Sequence, residues 1–289
     1  MQAQHAQHSS TSLQQLVSEA IACKAFELPV FNEVALKLQN VLGDEDTTIE
    51  DIEALILEDP ALAGQILRMA NSAFYKGMKD IKTIKRAILR LGAEQVASIA
   101  MLASQKNAYH SDNQQIMTLM QKLWKHSFVC AVGCKWIALN SGYASDASVA
   151  FLSGLLHDIG KLIVLKVIEQ IQSEGDAGAA FSDAAIFEIL DSTLPNESGY
   201  ALVSTWNLPE PYGVAVRDNH LSDPPDYQPL LATVRLMNLV ADSMGFGVRE
   251  RVDAMPAASQ EAHLLGLNDI QLAELEIHIE DTLQLEVDD

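Results

Sequence analysis

Apolar residues recur along this chain at intervals of three and four, the spacing that gathers them on one face of an α-helix. No stretch shows the two-residue alternation that a half-buried strand requires. Leu13, Leu16, Val17, Ala20 and Ile21 mark a first helix, and Leu28-Pro29-Val30 breaks it. Val34, Leu38, Val41 and Leu42 begin the next. Thr47 and Glu50 match a capping box, opening a helix with Ile49, Ile52, Leu55 and Ile56 on one face. Asp59-Pro60 reads as an N-cap followed by proline at the first helical position. The helix they start buries Leu62, Ile66, Met69, Ala70 and Ala73. Another carries Ile81, Ile84, Ile88 and Leu91, and Gly92 ends it as a left-handed cap before Val96, Ile99 and Leu102.

The polar run from Lys106 to Asn113 marks a boundary between two lobes. Beyond it Ile116, Leu119, Met120, Leu123 and Trp124 start a long helix, with His126 on the inward face that also carries Val129 and Cys130. Asn140-Ser141-Gly142 turns the chain, and an apolar segment from Val149 to Ile168 follows. Helix returns at Ile186, Ile189 and Leu190, and again from Leu230 to Met244 with Leu231, Val234, Asn238 and Ala241 in register. Asn268-Asp269 starts a last amphipathic helix with Leu272, Leu275, Ile279 and Leu283, which packs back on the lobe or forms a partner surface. The expected fold is all-α and two-lobed. It comprises a polar tail at 1–12, an N-terminal helical lobe at 13–112, a second helical lobe at 113–245 and a helical extension at 246–289.

Charge narrows the function. With 39 acidic and 19 basic residues the net charge is −20, which disfavours binding to nucleic acid or to an anionic membrane surface. The polar N-terminus has neither the cationic start nor the apolar stretch of a signal peptide, and the richest apolar run is broken by His157, Asp158 and Lys161. A cytoplasmic location is expected. Cys23, Cys130 and Cys134 read as reduced core thiols. The last two share a helix face with no third soft ligand near, which favours plain packing, and His5 and His8 belong to the tail.

Against this acidity, Lys76, Lys79, Lys82, Lys85, Arg86 and Arg90 form a basic stripe, and Lys82, Arg86 and Arg90 recur at a helical interval of four. They form either a docking site for an acidic protein partner or phosphorylated ligand, or a solvated face whose exposed ion pairs contribute only about 0–1 kcal/mol each. Asn71-Ser72 interrupts an apolar helix end, to satisfy its free carbonyls or to touch a ligand.

The densest chemistry lies in Gly154-Leu155-Leu156-His157-Asp158-Ile159-Gly160-Lys161-Leu162. Burying an imidazole and a carboxylate costs free energy unless each is paired or holds a metal. Two readings stand: a hydrogen-bonded pair at a helix end, or one nitrogen and one oxygen offered to a divalent cation. Gly160 is free to leave helical geometry and let Lys161 swing over the site. This run resembles the signature of the HD superfamily of metal-dependent phosphohydrolases. The resemblance implies a one-metal set of His126, His157, Asp158 and a later aspartate, with the metal activating water and Lys161 near the phosphate. The later position falls on Asn238, Asp242 lying one turn beyond. Losing one unit of charge near 4 Å removes about 4 kcal/mol of attraction at an effective dielectric of about 20. The related HD-GYP phosphodiesterases use further histidines for a second metal. Here Pro195 takes one such place, Asn219-His220 leaves only His220, and Asp223-Pro224-Pro225-Asp226-Tyr227 replaces the Gly-Tyr-Pro element.

The chain also resembles the HDOD (HD-related output domain) family of bacterial signalling proteins. Its motifs occur in order: Leu28-Pro29-Val30-Phe31, Ile56 to Leu62, Ile66 to Ala73, Ala87 to Gly92, Glu197 to Leu202, Trp206 to Pro211 and Val216 to His220. The likeness runs from Leu28 to about Asp242. It implies an HD-like C-terminal helical lobe and a signalling module with a degenerate metal site, acting through protein contacts. The alternative is a mononuclear phosphohydrolase acting on a nucleotide or other phosphoester, holding Mn, Fe, Ni, Mg or Zn. A third reading is a module that binds a small anionic or nucleotide ligand without turnover.

Overall fold

A computed structural model describes residues 13–23, 32–42, 46–72, 80–106, 108–174, 181–221, 228–249 and 255–287. Among these residues the secondary structure is helical, with no strand. The expected tail at 1–12, the Leu28–Phe31 motif, Ala73, Lys76, Lys79 and the Asp223–Tyr227 segment lie outside the described residues.

The N-terminal half contains α1 (13–22), α2 (Glu33–Val41), α3 (Ile49–Leu57), α4 (Pro60–Ala70), α5 (Ile84–Leu91) and α6 (Ala93–Lys106). Their starts are fixed by side-chain caps. Asn32 accepts from the amides of Val34 and Ala35, Asp59 accepts from those of Ala61 and Leu62, and Asn32 donates to Asp59, tying two helix starts together. The capping box falls one residue later than expected, on Thr48 and Asp51. Thr47 is unavailable because its hydroxyl donates to the Val41 carbonyl at the end of α2, 2.8 Å away. Asn71 donates to the carbonyls of Leu67 and Ile81 and accepts from the Ile81 amide at 2.7 Å, pinning the end of α4 to the approach to α5. Gly92 joins α5 to α6 at φ 88° and ψ 154°, an extended positive-φ conformation rather than the expected left-handed cap, and one where a side chain would be strained.

The second half contains α7 (Gln114–Asn140), α8 (Ala147–Leu156), α9 (Ile159–Glu174), α10 (Asp183–Leu190), α11 (Leu194–Thr205), α12 (Glu210–Asp218), α13 (Pro229–Ser243), α14 (Gln260–Leu264) and α15 (Asp269–Val287). The 27-residue α7 is the axis against which α8, α9, α13 and α15 pack. Leu272, Leu275 and Ile279 of α15 join Cys130 and Ile137 of α7 and Ala241 of α13 in one apolar cluster, so the C-terminal helix packs back on the lobe.

Leu38, Ile56, Ile66, Ile88 and Ile99 form a separate core within α2–α6. Two residues along α6, Met101 joins the large core of α7–α9 instead, together with Leu13 and Val17 of α1. The apolar segment 144–174 reaches a mean hydropathy of 1.6, yet 83% of its most apolar window is buried inside the protein, as befits core helices. One expectation about thiols needs correcting. Cys130 and Cys134 are buried, whereas Cys23, at the end of α1, is exposed.

Candidate metal centre

The site forms where α7 meets the break between α8 and α9. His157 is the C-cap residue of α8, and Asp158 occupies the single-residue step before α9 begins. Two glycines permit this approach by close packing. A Cβ at Gly154 would lie 2.5 Å from the Cys130 carbonyl oxygen, and one at Gly160 would lie 1.7 Å from that of Pro195. Gly160 has no positive φ and sits inside α9, so its expected departure from helical geometry does not occur. Lys161 reaches the site from the first turn of the helix instead.

His126, His157, Asp158 and Asn238 converge. His126 Nε2 lies 3.2 Å from His157 Nε2 and 3.1 Å from Asn238 Oδ1. Both imidazole Nε2 atoms lie 3.4 Å from Asp158 Oδ2. His157 Nδ1 donates to the Gly154 carbonyl at 2.7 Å, which orients the ring with Nε2 facing the cluster. Burial lowers His126 from the ordinary imidazole value by more than Asp158 restores, favouring the neutral form that ligates. Burial alone would raise the Asp158 carboxyl, but Lys161 and the two histidines outweigh it and hold it well below the usual carboxylate range. Lys161 Nζ lies 2.7 Å from Asp158 Oδ2, and His220 Nε2 lies 3.1 Å from Oδ1.

A cation bonded at about 2.0–2.2 Å sets neighbouring nitrogen and oxygen ligands about 3.0–3.5 Å apart. The observed separations of 3.1–3.4 Å match that spacing, and several lone pairs facing one point repel unless a proton or cation lies among them. The donor set therefore fits one metal ion.

Sequence reasoning missed Cys130. Its Sγ lies 3.7 Å from His126 Nε2 and 3.8 Å from Asn238 Oδ1, and it forms a compact group with both histidines. The expectation of plain packing for Cys130 took no account of these two imidazoles. The available signal was its position one helical turn after His126. Burial pushes its thiol well above the ordinary value, so without a metal it is neutral. Asn219 has a different role: its amide donates to the carbonyls of His157, Ala215 and Val216, clasping the His-Asp turn to the end of α12.

A cavity of about 250 Å³ opens beside the cluster, lined by His126, Lys161, His220, Asn238, Asp242, Arg235 and Arg249, among others. Arg235 pairs with Glu261 at 2.7 Å and Arg249 with Asp191 at 3.0 Å, so both wall guanidiniums already have carboxylate partners. Among the described residues, Lys82, Lys85, Arg86 and Arg90 of the basic stripe do not line the cavity. Lys82, Arg86 and Arg90 are exposed, but Lys82 precedes the Thr83 N-cap, so the three do not share one helical face. Lys85 pairs with Glu50 at 2.7 Å.

Comparison with known proteins adds the family. The HDOD domain model matches residues 28–222. A crystal structure from Shewanella amazonensis SB2B, of a protein provisionally named a metal-dependent phosphohydrolase, is 21% identical with a TM-score of 0.73, covering 95% of this chain and 99% of that one. Another, from Marinobacter aquaeolei VT8 and provisionally named a signal transduction protein, is 18% identical with a TM-score of 0.66, covering 96% of this chain and 66% of that one. An uncharacterized protein of Treponema pallidum (strain Nichols) is 25% identical over 232 residues, 77% of this chain and 44% of that protein. The chain thus spans less than half the length of that curated relative.

Proposed function

The chain belongs to the HDOD domain family, and we propose that it acts as a signalling or regulatory module whose His-Asp site holds structure or senses a ligand rather than hydrolysing a phosphoester. The observation that carries this reading is the state of Asp158. Its Oδ2 is paired with Lys161 at 2.7 Å and its Oδ1 with His220 at 3.1 Å. Counting that ammonium, the His126, His157, Asp158 and Asn238 set has no net negative charge with which to attract a dication. Asn238 supplies an amide oxygen where a carboxylate would restore that charge. A metal held here would lend Lewis acidity to a bound water or phosphoryl oxygen. The chain's own part is to orient His157 through Gly154 and to restrain Asp158 through Lys161.

The test is turnover by the full chain, purified without chelators and assayed on phosphodiesters and nucleotides with added manganese, iron or nickel. The expected rate is no higher than that of His157→Ala. Activity that disappears in that variant would overturn the reading. A second reading, a mononuclear phosphohydrolase using His126, His157, Asp158 and Asn238 with Lys161 at the phosphate, draws on the 3.2 Å approach of the two histidines. The same assay decides between them.

On the regulatory reading, the exposed Lys82, Arg86 and Arg90 engage an acidic protein partner. Reversing all three charges should weaken capture of that partner, and unchanged capture would reduce the stripe to a solvated face.

A further inference from the structure

We propose that Cys130 is a metal ligand, forming with His126, His157 and Asn238 a closed four-donor site for a thiophilic dication, zinc foremost. A tetrahedral ion bonded at about 2.3 Å to sulfur and about 2.1 Å to nitrogen or oxygen places the sulfur about 3.6 Å from each neighbour. The same ion places the lighter ligands about 3.4 Å from one another. Cys130 Sγ lies 3.7 Å from His126 Nε2 and 3.8 Å from Asn238 Oδ1. The nitrogen–nitrogen and nitrogen–oxygen separations are 3.2 and 3.1 Å. Four of the six edges of one tetrahedron thus have nearly the lengths such an ion requires, and Cys130 and His157 offer ligand atoms within 4.8 Å of each other.

Local structure fixes the sulfur there. His126 and Cys130 are one turn apart on α7, and both are buried. Gly154 lets α8 press against the Cys130 backbone and delivers His157 to the same point. Cys134, one turn further on, directs its sulfur instead to the Thr233 carbonyl at 3.9 Å.

Charge gives the same answer. Asn238 removes a negative charge from the site, and Lys161 neutralises Asp158 at 2.7 Å. A Cys130 thiolate, its proton passing to solvent as the ion binds, restores one unit. It also changes the selectivity, because a thiolate with two imidazoles prefers zinc to magnesium or manganese. Asp158, held by Lys161 and His220, becomes a neighbour of the centre rather than a ligand. Four protein ligands leave no open position for water, the arrangement of structural zinc sites. The assignment rests on the non-hydrolytic reading and names the ion it would hold.

Cobalt(II) is the probe, added to the full chain after chelator stripping. One equivalent should give intense tetrahedral visible bands and a near-ultraviolet sulfur-to-cobalt charge-transfer band, and zinc should displace both. Cys130→Ser should lose the charge-transfer band, whereas Cys134→Ser should keep it. X-ray absorption on the zinc-loaded, unsubstituted chain should show one sulfur at about 2.3 Å, independently of any variant's folding. No cobalt binding, binding without the sulfur band, or a band retained in Cys130→Ser would overturn the assignment. So would a zinc shell without sulfur. Those results would leave the non-hydrolytic reading intact, whereas phosphodiester turnover lost in His157→Ala would remove that reading whatever the spectrum shows.

Discussion

Asn238 stands 3.1 Å from His126 Nε2 with an oxygen but no formal charge. Changing it to aspartate adds a negative charge beside the cluster, where one unit at 4 Å is worth about 4 kcal/mol at an effective dielectric of about 20. Even a third of that gain gives about 10-fold tighter binding. Asn238→Asp should therefore bind manganese at least about 10-fold more tightly than the parent by calorimetry; equal affinities would show that the charge at this position does not govern the site. Lys161 presents the converse case. Its pair with Asp158 is almost wholly enclosed, so Lys161→Met leaves a buried carboxylate with only imidazole partners and should destabilise the metal-free protein by up to about 3–5 kcal/mol in urea titration. At this scale His157 and Asp158 were legible because an imidazole or carboxylate inside an apolar helix has few fates, whereas His126 and Asn238 were reached through the resemblance to the HD superfamily. Cys130 was not, because a buried cysteine is ordinarily filler and its neighbours depend on how closely α8 approaches α7.

The helices themselves were legible from periodicity, and several ends from capping chemistry, as at Asp59-Pro60 and Gly92. The register at Thr47 was not. Two adjacent threonines offered the same hydroxyl, and the choice fell to a carbonyl on the preceding helix that sequence spacing does not reveal. Gly160 posed a related problem: its freedom of φ was visible in the sequence, its role as a contact surface was not. A Cβ there would meet the Pro195 carbonyl oxygen at 1.7 Å, so α9 and α11 must separate in Gly160→Ala. That change should destabilise the protein by about 1–3 kcal/mol, measured by denaturant unfolding. An unaltered midpoint would mean that the two helices yield freely at this contact.

Across the molecule, the polar run after Lys106 did not disclose that α1 packs with the second half, nor that the change of core falls earlier, within α6. Leu13 and Val17 lie with the core of α7–α9, because contacts so distant in sequence leave no periodic trace. The C-terminal extension is likewise integral to the second half. Leu275 is wholly buried against it, so Leu275→Ala should destabilise the protein by about 2–5 kcal/mol in urea titration. Ile277, 58% exposed two residues on, should shift stability by less than about 0.5 kcal/mol when changed to alanine. Equal effects would show that α15 is not anchored along its inward face.

Every residue of α6 from Gln95 to Leu102 is buried, and Ile99 and Met101, on nearly opposite sides of the helix, plug into different cores. Axial twist would unseat both residues together, since neither can turn without dragging the other from its socket. A displacement of α6 that begins in one core is therefore felt in the other.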